Sequence, residues 1–386
     1  ILNYISTFLF WRLIFKKDLF AFIGSLLFIF SPFFHLNISH FQMLSYWPFF
    51  FSLYFLFKPQ SGSRLVQPVI AGLFITVQFL ASVYLSVYLL TTIGLYFIFQ
   101  LTRKSFKQVG LSAIVVFLTF FLTSGIFIKG YFDVKKEYDI SRNINEYITY
   151  SASLSDYIFT FSVDSLITRL PVIQKWNSFN KNDWGGHTAF PGVLVLSLGL
   201  IGLFAITKDK KSLSVIMNLN RQKGFFLSLV LLGFIFSLGP RLNFNGTYAH
   251  IPLPYAIALK VVPLFESTRV SARWSYLFYF GLIFFALLGL QKIADGKYKS
   301  AIFAFCFVML FLEALPFNLT TTAGSYVDDR TEVLRNICSD EKQVLLELPV
   351  THLEAGNNIV EGLTYLTTSQ LASTFHGCYL VNGYSG

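Results

Sequence analysis

The sequence predicts an all-α polytopic transmembrane bundle of about ten helices, followed by the start of an extracytoplasmic α/β domain. Three observations carry this. Apolar residues make up 54% of the 386 positions and charged residues only 13%, against roughly 25% charged in a soluble domain. Most apolar residues fall in long uncharged runs, so length counts bilayer spans rather than soluble domains. Basic residues then recur in every second connection between those runs. The mean hydropathy of +0.59 agrees.

The uncharged stretches place helices at about 1–15, 19–34, 43–57, 66–80, 84–101, 109–129, 187–206, 224–238, 274–290 and 300–317. The run across 66–101 holds roughly 35 apolar residues, too many for one span at about 1.5 Å each in a core about 30 Å thick. A tight hairpin at Ala81-Ser82-Val83 is therefore expected. The basic connections carry Lys16 and Lys17; Lys58 and Arg64; Arg103, Lys104 and Lys107; Lys208, Lys210, Lys211, Arg221 and Lys223; and Lys292, Lys297 and Lys299. By the positive-inside rule these face the cytoplasm, which puts the loops 130–186 and 239–273 and the C-terminal region outside. The net charge of +10 is spread over separate short loops, so a nucleic-acid surface is not indicated and the expected partner is membrane lipid.

Beyond residue 317 the character changes. A short helix at 331–337 and a buried strand at 344–348 mark the start of the α/β domain, 318–386, behind the transmembrane domain, 1–317. The chain opens on Ile1 inside an apolar segment and stops at Gly386 after a strand-like stretch, so both ends read as truncated. Cys338 and Cys378 share this polar region and can pair if it is extracytoplasmic, while Cys306 lies in an apolar run and reads as buried.

Polar residues worth weighing gather on the outer face. His35 and His40 stand on a short turn after Pro32; five apart, they do not share a helical face as a metal-binding pair does. They read either as interfacial histidines beside an aromatic belt or as groups for substrate binding or proton transfer. Asp133, Asp139, Glu146 and Asp156 lie on expected surface helices within 133–157 without a tight DxD or ExD pair, which favours a solvated face. No metal site is predicted, and a divalent cation is the one cofactor left open. The run 181–187, KNDWGGH, reads as turn-rich entry to the seventh helix.

IPLPYAIALKVVPLFESTRVSARW, 251–274, is apolar yet broken by Pro252, Pro254 and Pro263. With Asn245-Gly246 before it and Lys260 and Glu266 inside, it reads as a broken interfacial or shallow re-entrant segment. Glu266-Ser267-Thr268 offers a helix start that would set Arg269 and Arg273 on one face of the first turn. Free backbone N–H groups and two arginines there would hold a phosphate; snorkelling to lipid headgroups is the competing reading. Glu313, near the outer end of the last helix, is a further binding candidate as an ionisable group close to membrane depth.

The stretches AFIGSLLFIFSPFFHLNISHFQMLSYWPFFFSLYFLFK, AGLFITVQFLASVYLSVYL, RNINEYITYSASLSDYIF, SLGPRLNFNGTYAHIPLPYAIALKVVPLFESTRVSARW, VLLELPV and VNGYSG follow in an order that covers nearly the whole chain. In them the chain resembles the large bacterial polytopic proteins of the GT-C glycosyltransferase superfamily, especially the YfhO-like groups. The resemblance implies an enzyme of the bacterial plasma membrane that takes a sugar from a polyprenyl-phosphate-linked donor and passes it to an envelope glycan or lipid acceptor outside. It also implies an acidic catalytic residue in a first outer loop, expected here before Ile1. By position His35, His40, Arg269 and Arg273 match polar places in the family pattern. A transporter or flippase would need charge at mid-span, where this sequence has almost none; a non-catalytic envelope assembly protein is the third reading.

Overall fold

The computed structural model describes residues 1–31, 34, 37, 40–59, 63–101, 105–137, 142–159, 165–179, 189–208, 213–294, 297–314, 329–338, 343–346 and 359–381. The chain is mostly helical and forms two compact units, Ile1–Asn318 and Leu319–Gly386.

In the first unit α1 (Leu2–Phe15) and α2 (Asp18–Ile29) precede α3 (Phe41–Leu44), α4 (Trp47–Phe57), α5 (Val66–Ala81), α6 (Val83–Gln100) and α7 (Phe106–Glu137). After α8 (Ile144–Thr149), α9 (Pro171–Asn177), α10 (Val193–Lys208) and α11 (Leu213–Ser237) comes a hairpin of β1 (Arg241–Phe244) and β2 (Thr247–Pro252). Then follow α12 (Pro254–Val261), 3-10 turns at Pro263–Ser267 and Ser271–Trp274, α13 (Ser275–Ile293) and α14 (Lys299–Ala314).

Each of the ten expected stretches contains helix, but among the described residues three segments are long and apolar enough to cross a membrane: Val83–Gln100, Phe106–Glu137 and Ser271–Ile293. The expected helix at 43–57 falls short because it is broken between α3 and α4. Two amide side chains from elsewhere satisfy the broken backbone, since Asn3 Nδ2 donates to Leu44 O at 2.6 Å and Asn3 Oδ1 accepts from Tyr46 N at 3.2 Å. Gln78 does the same on the other side, donating to Ser45 O at 3.0 Å and accepting from Phe49 N at 3.1 Å. Unsatisfied backbone groups at this depth would cost several kcal/mol each, so the break persists only with such partners. The expected 109–129 helix instead runs on to Glu137, about 48 Å at 1.5 Å per residue. The one-residue break between α5 and α6 falls at Ser82, whose Oγ accepts from Leu85 N.

The core is organised around α13, most of whose residues are buried. It reaches that state because glycines let backbones touch. A Cβ on Gly202 of α10 would stand 2.0 Å from Phe285 O, and one on Gly289 would stand 2.1 Å from Leu198 O. On the other side a Cβ on Gly233 of α11 would meet Phe278 N at 2.1 Å, and one on Gly281 would meet Phe226 O at 2.6 Å. Small residues at such crossings are how helices pack where lipid removes the hydrophobic incentive. Phe280, fully buried, then gathers Phe10, Trp11, Phe49, Phe50 and Phe226 with ring centroids 5.3 to 5.7 Å away. Helices α1, α4 and α11 thus meet on one ring of α13.

Two expectations become specific and one is corrected. Asn245-Gly246 is the turn of a β-hairpin, with both residues at positive φ (50° and 86°), the geometry that Asn-Gly favours between two strands. Only residues 254–261 of the proline-broken stretch that follows form α-helix. Asp156 is not on a solvated face: it is 1% exposed, closing a capping box in which Ser153 N donates to its Oδ2 at 2.8 Å.

The second unit contains α15 (Asp329–Ile337), β3 (Val344–Leu345), α16 (Ile359–His376) and β4 (Tyr379–Leu380). Strands β3 and β4 pair in parallel, and a disulfide joins Cys338 to Cys378 across Cα atoms 5.4 Å apart. The strand expected to be buried carries Val344 at 69% exposure, and among the described residues it pairs only with β4; residues 347–348 lie outside the described residues.

Gly202→Ala tests the close crossing. We expect a loss of about 1–3 kcal/mol, since a backbone carbonyl cannot step aside as a side chain can, read as a lower unfolding temperature in detergent. Gly94→Ala, where an added Cβ meets nothing within 4 Å, is expected to be neutral or slightly stabilising. Equal behaviour of the two variants would contradict the packing described.

Candidate functional site

The arginine-bearing stretch between the two 3-10 turns sits where α6 begins, α11 ends and α13 begins. Thr268 and Val270 are non-helical, with φ/ψ of −100°/65° and −87°/88°. Arg269 and Arg273 therefore do not share the first turn of one helix as expected. Three tyrosine hydroxyls impose the strap-like course. Tyr147 donates to Glu266 O at 3.0 Å, Tyr255 donates to Thr268 O at 3.0 Å, and Tyr84 accepts from Val270 N at 3.3 Å. These come from α8, α12 and α6, so three elements far apart in sequence grip one short segment.

Backbone donors at the head of α13 are also engaged. Ala272 N donates to Tyr150 O at 2.9 Å and Arg273 N to Val270 O at 3.1 Å. Ser271 Oγ bonds Tyr147 O at 3.0 Å and Ser151 Oγ at 3.2 Å. A phosphate cradle of open N–H groups at this end is thus ruled out for residues 270, 272 and 273, and cationic chemistry falls to the side chains. The Arg269 guanidinium lies over the Tyr150 ring and that of Arg273 over the Tyr84 ring, each 5.1 Å from the centroid. A guanidinium over an aromatic face is attracted by the negative face of the ring. Tyr84 has two roles: its hydroxyl holds the strap and its ring supports Arg273.

His40, half-buried at the head of α3, lies within range of the charge of both arginines. Burial, then Arg273 and Arg269, hold its imidazole below the usual histidine range, so the ring is a neutral proton acceptor beside two cations. Burial likewise pushes the Tyr147 phenol up to about 12, keeping its hydroxyl protonated as a donor to Glu266 O. Glu266 ion-pairs with Lys135 near the end of α7, tying the strap to that helix.

Other candidates are placed elsewhere. Glu313 Oε1 accepts from Leu194 N at 3.0 Å, capping the first turn of α10, and among the described residues it pairs with neither arginine. Asp133 pairs with Lys129 one turn earlier on α7 at 2.7 Å, and Glu146 sits in the first turn of α8. His35, Asp139 and the run 181–187 lie outside the described residues. Among the described residues no three His, Cys, Asp or Glu side chains gather to hold a metal. Missed from sequence were the tyrosines Tyr84, Tyr147, Tyr150 and Tyr255; their one signal is clustering in the outer loops and at a helix start, which an aromatic belt produces equally well.

The lowered His40 value makes a testable statement. Its folded pKa lies below the unfolded one, so its contribution to stability is present above about pH 6.5 and is lost as pH falls through the lowered value. Arg273→Ala removes the larger of the two charge effects. We expect the His40 resonance, followed by NMR in labelled protein, to titrate at higher pH in that variant; an unchanged titration would separate His40 from the arginines.

The family model for a domain of unknown function, DUF6311, matches residues 1–314. No curated protein and no solved structure matches the chain. The match spans the whole helical unit that builds the strap and its arginines, and the chain belongs to the DUF6311 family.

Proposed function

We propose that this is a multi-pass protein of the bacterial plasma membrane with a GT-C-like bundle of about ten spans. In this reading it transfers a sugar from a polyprenyl-phosphate-linked donor to an envelope glycan or lipid acceptor on the outer face. The observation that carries the reading is the pair Arg269 and Arg273 near the start of α13, each guanidinium over a tyrosine ring, with His40 within range of their charge. A second support is the Cys338–Cys378 disulfide, which fits an oxidising, extracytoplasmic setting for the C-terminal unit.

The chemistry such a site would perform is an inverting displacement. An acceptor hydroxyl oxygen attacks the anomeric carbon, the bond from that carbon to the phosphate oxygen breaks, and the electron pair leaves with the lipid phosphate. Arg269 and Arg273 bind that phosphate and stabilise the charge it gains, each planar fork suited to two oxygens. The proton released by the acceptor passes to a base; in this unit His40 is held in the neutral form that the task requires.

The test is the Arg269→Ala/Arg273→Ala double variant of the full-length protein in liposomes. A charge-assisted hydrogen bond is worth about 1.5–3 kcal/mol, so we expect carrier binding to weaken about tenfold or more per arginine, with transfer falling at least as far. Unchanged binding and transfer would end the reading.

A further inference from the structure

Helix α12 has two faces of different character. Tyr255, with Ala258 and Leu259 one turn on, packs into the core. The Tyr255 ring lies against Phe236, Phe265 and Trp274 at centroid distances of 5.8, 5.9 and 6.5 Å. Phe236 is the penultimate residue of α11 and Trp274 immediately precedes α13, so α12 is fixed at the end of the bundle where those helices terminate. The opposite face is apolar and uncovered: Ile257 is 66% exposed and Val261, four residues on, 70% exposed. Ile251 before the helix and Val262 and Leu264 after it are also exposed, and Lys260 on the helix is exposed.

We propose that this face of α12 docks into the outer leaflet of the lipid bilayer, with Ile257 and Val261 among the acyl chains and Lys260 at the anionic headgroups. The inference rests on the reading of the bundle as membrane-spanning. Three features select lipid as the occupant. The patch lies at the level where the membrane-crossing segments Val83–Gln100 and Ser271–Ile293 begin, which is the interfacial level for a bundle set in a bilayer. Apolar residues with a flanking lysine match the boundary between acyl chains and headgroups. The rigid Tyr255 anchor, its hydroxyl bonded to Thr268, joins the patch to the strap that carries Arg269. A lipid held by α12 would therefore present its headgroup close to the arginines, which favours a lipid-borne phosphate over a water-soluble one.

The experiment places a nitroxide at Ile257→Cys or Val261→Cys in the full chain, with Cys306→Ala as background and the Cys338–Cys378 disulfide intact, reconstituted in vesicles of phosphatidylethanolamine and phosphatidylglycerol. Both labelled positions are exposed, so either variant keeps the packing of Tyr255. Collision with oxygen and with a water-soluble nickel chelate is measured by electron paramagnetic resonance, with Thr247→Cys on the hairpin as reference. We expect the oxygen-to-nickel ratio at both positions to exceed that at Thr247 several-fold. A nickel-dominated ratio would mean that the face is in water, and low access to both reagents would mean that a second copy of the chain or another protein covers it; either overturns the proposal. Carrier binding reads out separately: lipid contact at Ile257 with no effect of the arginine double variant would retain this inference and remove the proposed reaction, and the reverse pair would do the opposite.

Discussion

The contact on which the rest of this structure depends is backbone against backbone at α13. Gly202 and Gly289 on one side, Gly233 and Gly281 on the other, bring α10 and α11 so close to α13 that an added Cβ would overlap main-chain atoms. With the helices at that distance, Phe280 and Phe284 can be enclosed by rings from α1, α4 and α11. In a lipid setting such packing has no large hydrophobic term behind it, so shape and dispersion must hold the bundle. The same contact fixes where α13 begins, and hence where Trp274, Arg273 and the strap before them stand.

The polar end of the bundle is built on that fixed point with little freedom of its own. Tyr84, Tyr147 and Tyr255 each give their hydroxyl to the strap, and Ser271 bonds back to α8 at Tyr147 O and to Ser151 just after it. Gly239 allows the same closeness here: its φ is +67° and a Cβ would lie 2.0 Å from Ser151 Oγ. Long flexible arginines are thereby mounted on a rigid base and braced on rings, which reduces the ordering cost of gripping an anion. The consequence is a pair of cations held where α6 and α13 begin, with His40 within range of their charge.

Helix positions were readable because long apolar runs leave a chain few alternatives to helix, and Ser82 was findable because no single span could hold the residues around it. What escaped was long-range. The splint of Asn3 and Gln78 across the α3–α4 break joins residues 29 to 43 apart, and nothing local marks either amide as a partner. The hairpin at Asn245-Gly246 was legible in principle, since that dipeptide between short apolar runs is a turn signal, but the neighbouring prolines drew attention to helix breaking. For the site, Arg269, Arg273 and His40 stood out as polar residues in apolar company. Their tyrosine supports did not, because tyrosine is at home at any membrane interface. Asp156 misled for a related reason: a carboxylate in a polar loop looks solvated until a capping box buries it.

The central claim is that the two braced arginines hold a phosphate borne on lipid. The most direct measurement is phosphorus-to-nitrogen dipolar dephasing by solid-state NMR, on arginine-labelled full-length protein in bilayers containing polyprenyl phosphate. The account predicts guanidinium signals that lose intensity through the lipid phosphorus and that vanish from the spectrum in the Arg269→Lys/Arg273→Lys variant. Dephasing that persists in that variant, or that never appears, would contradict it.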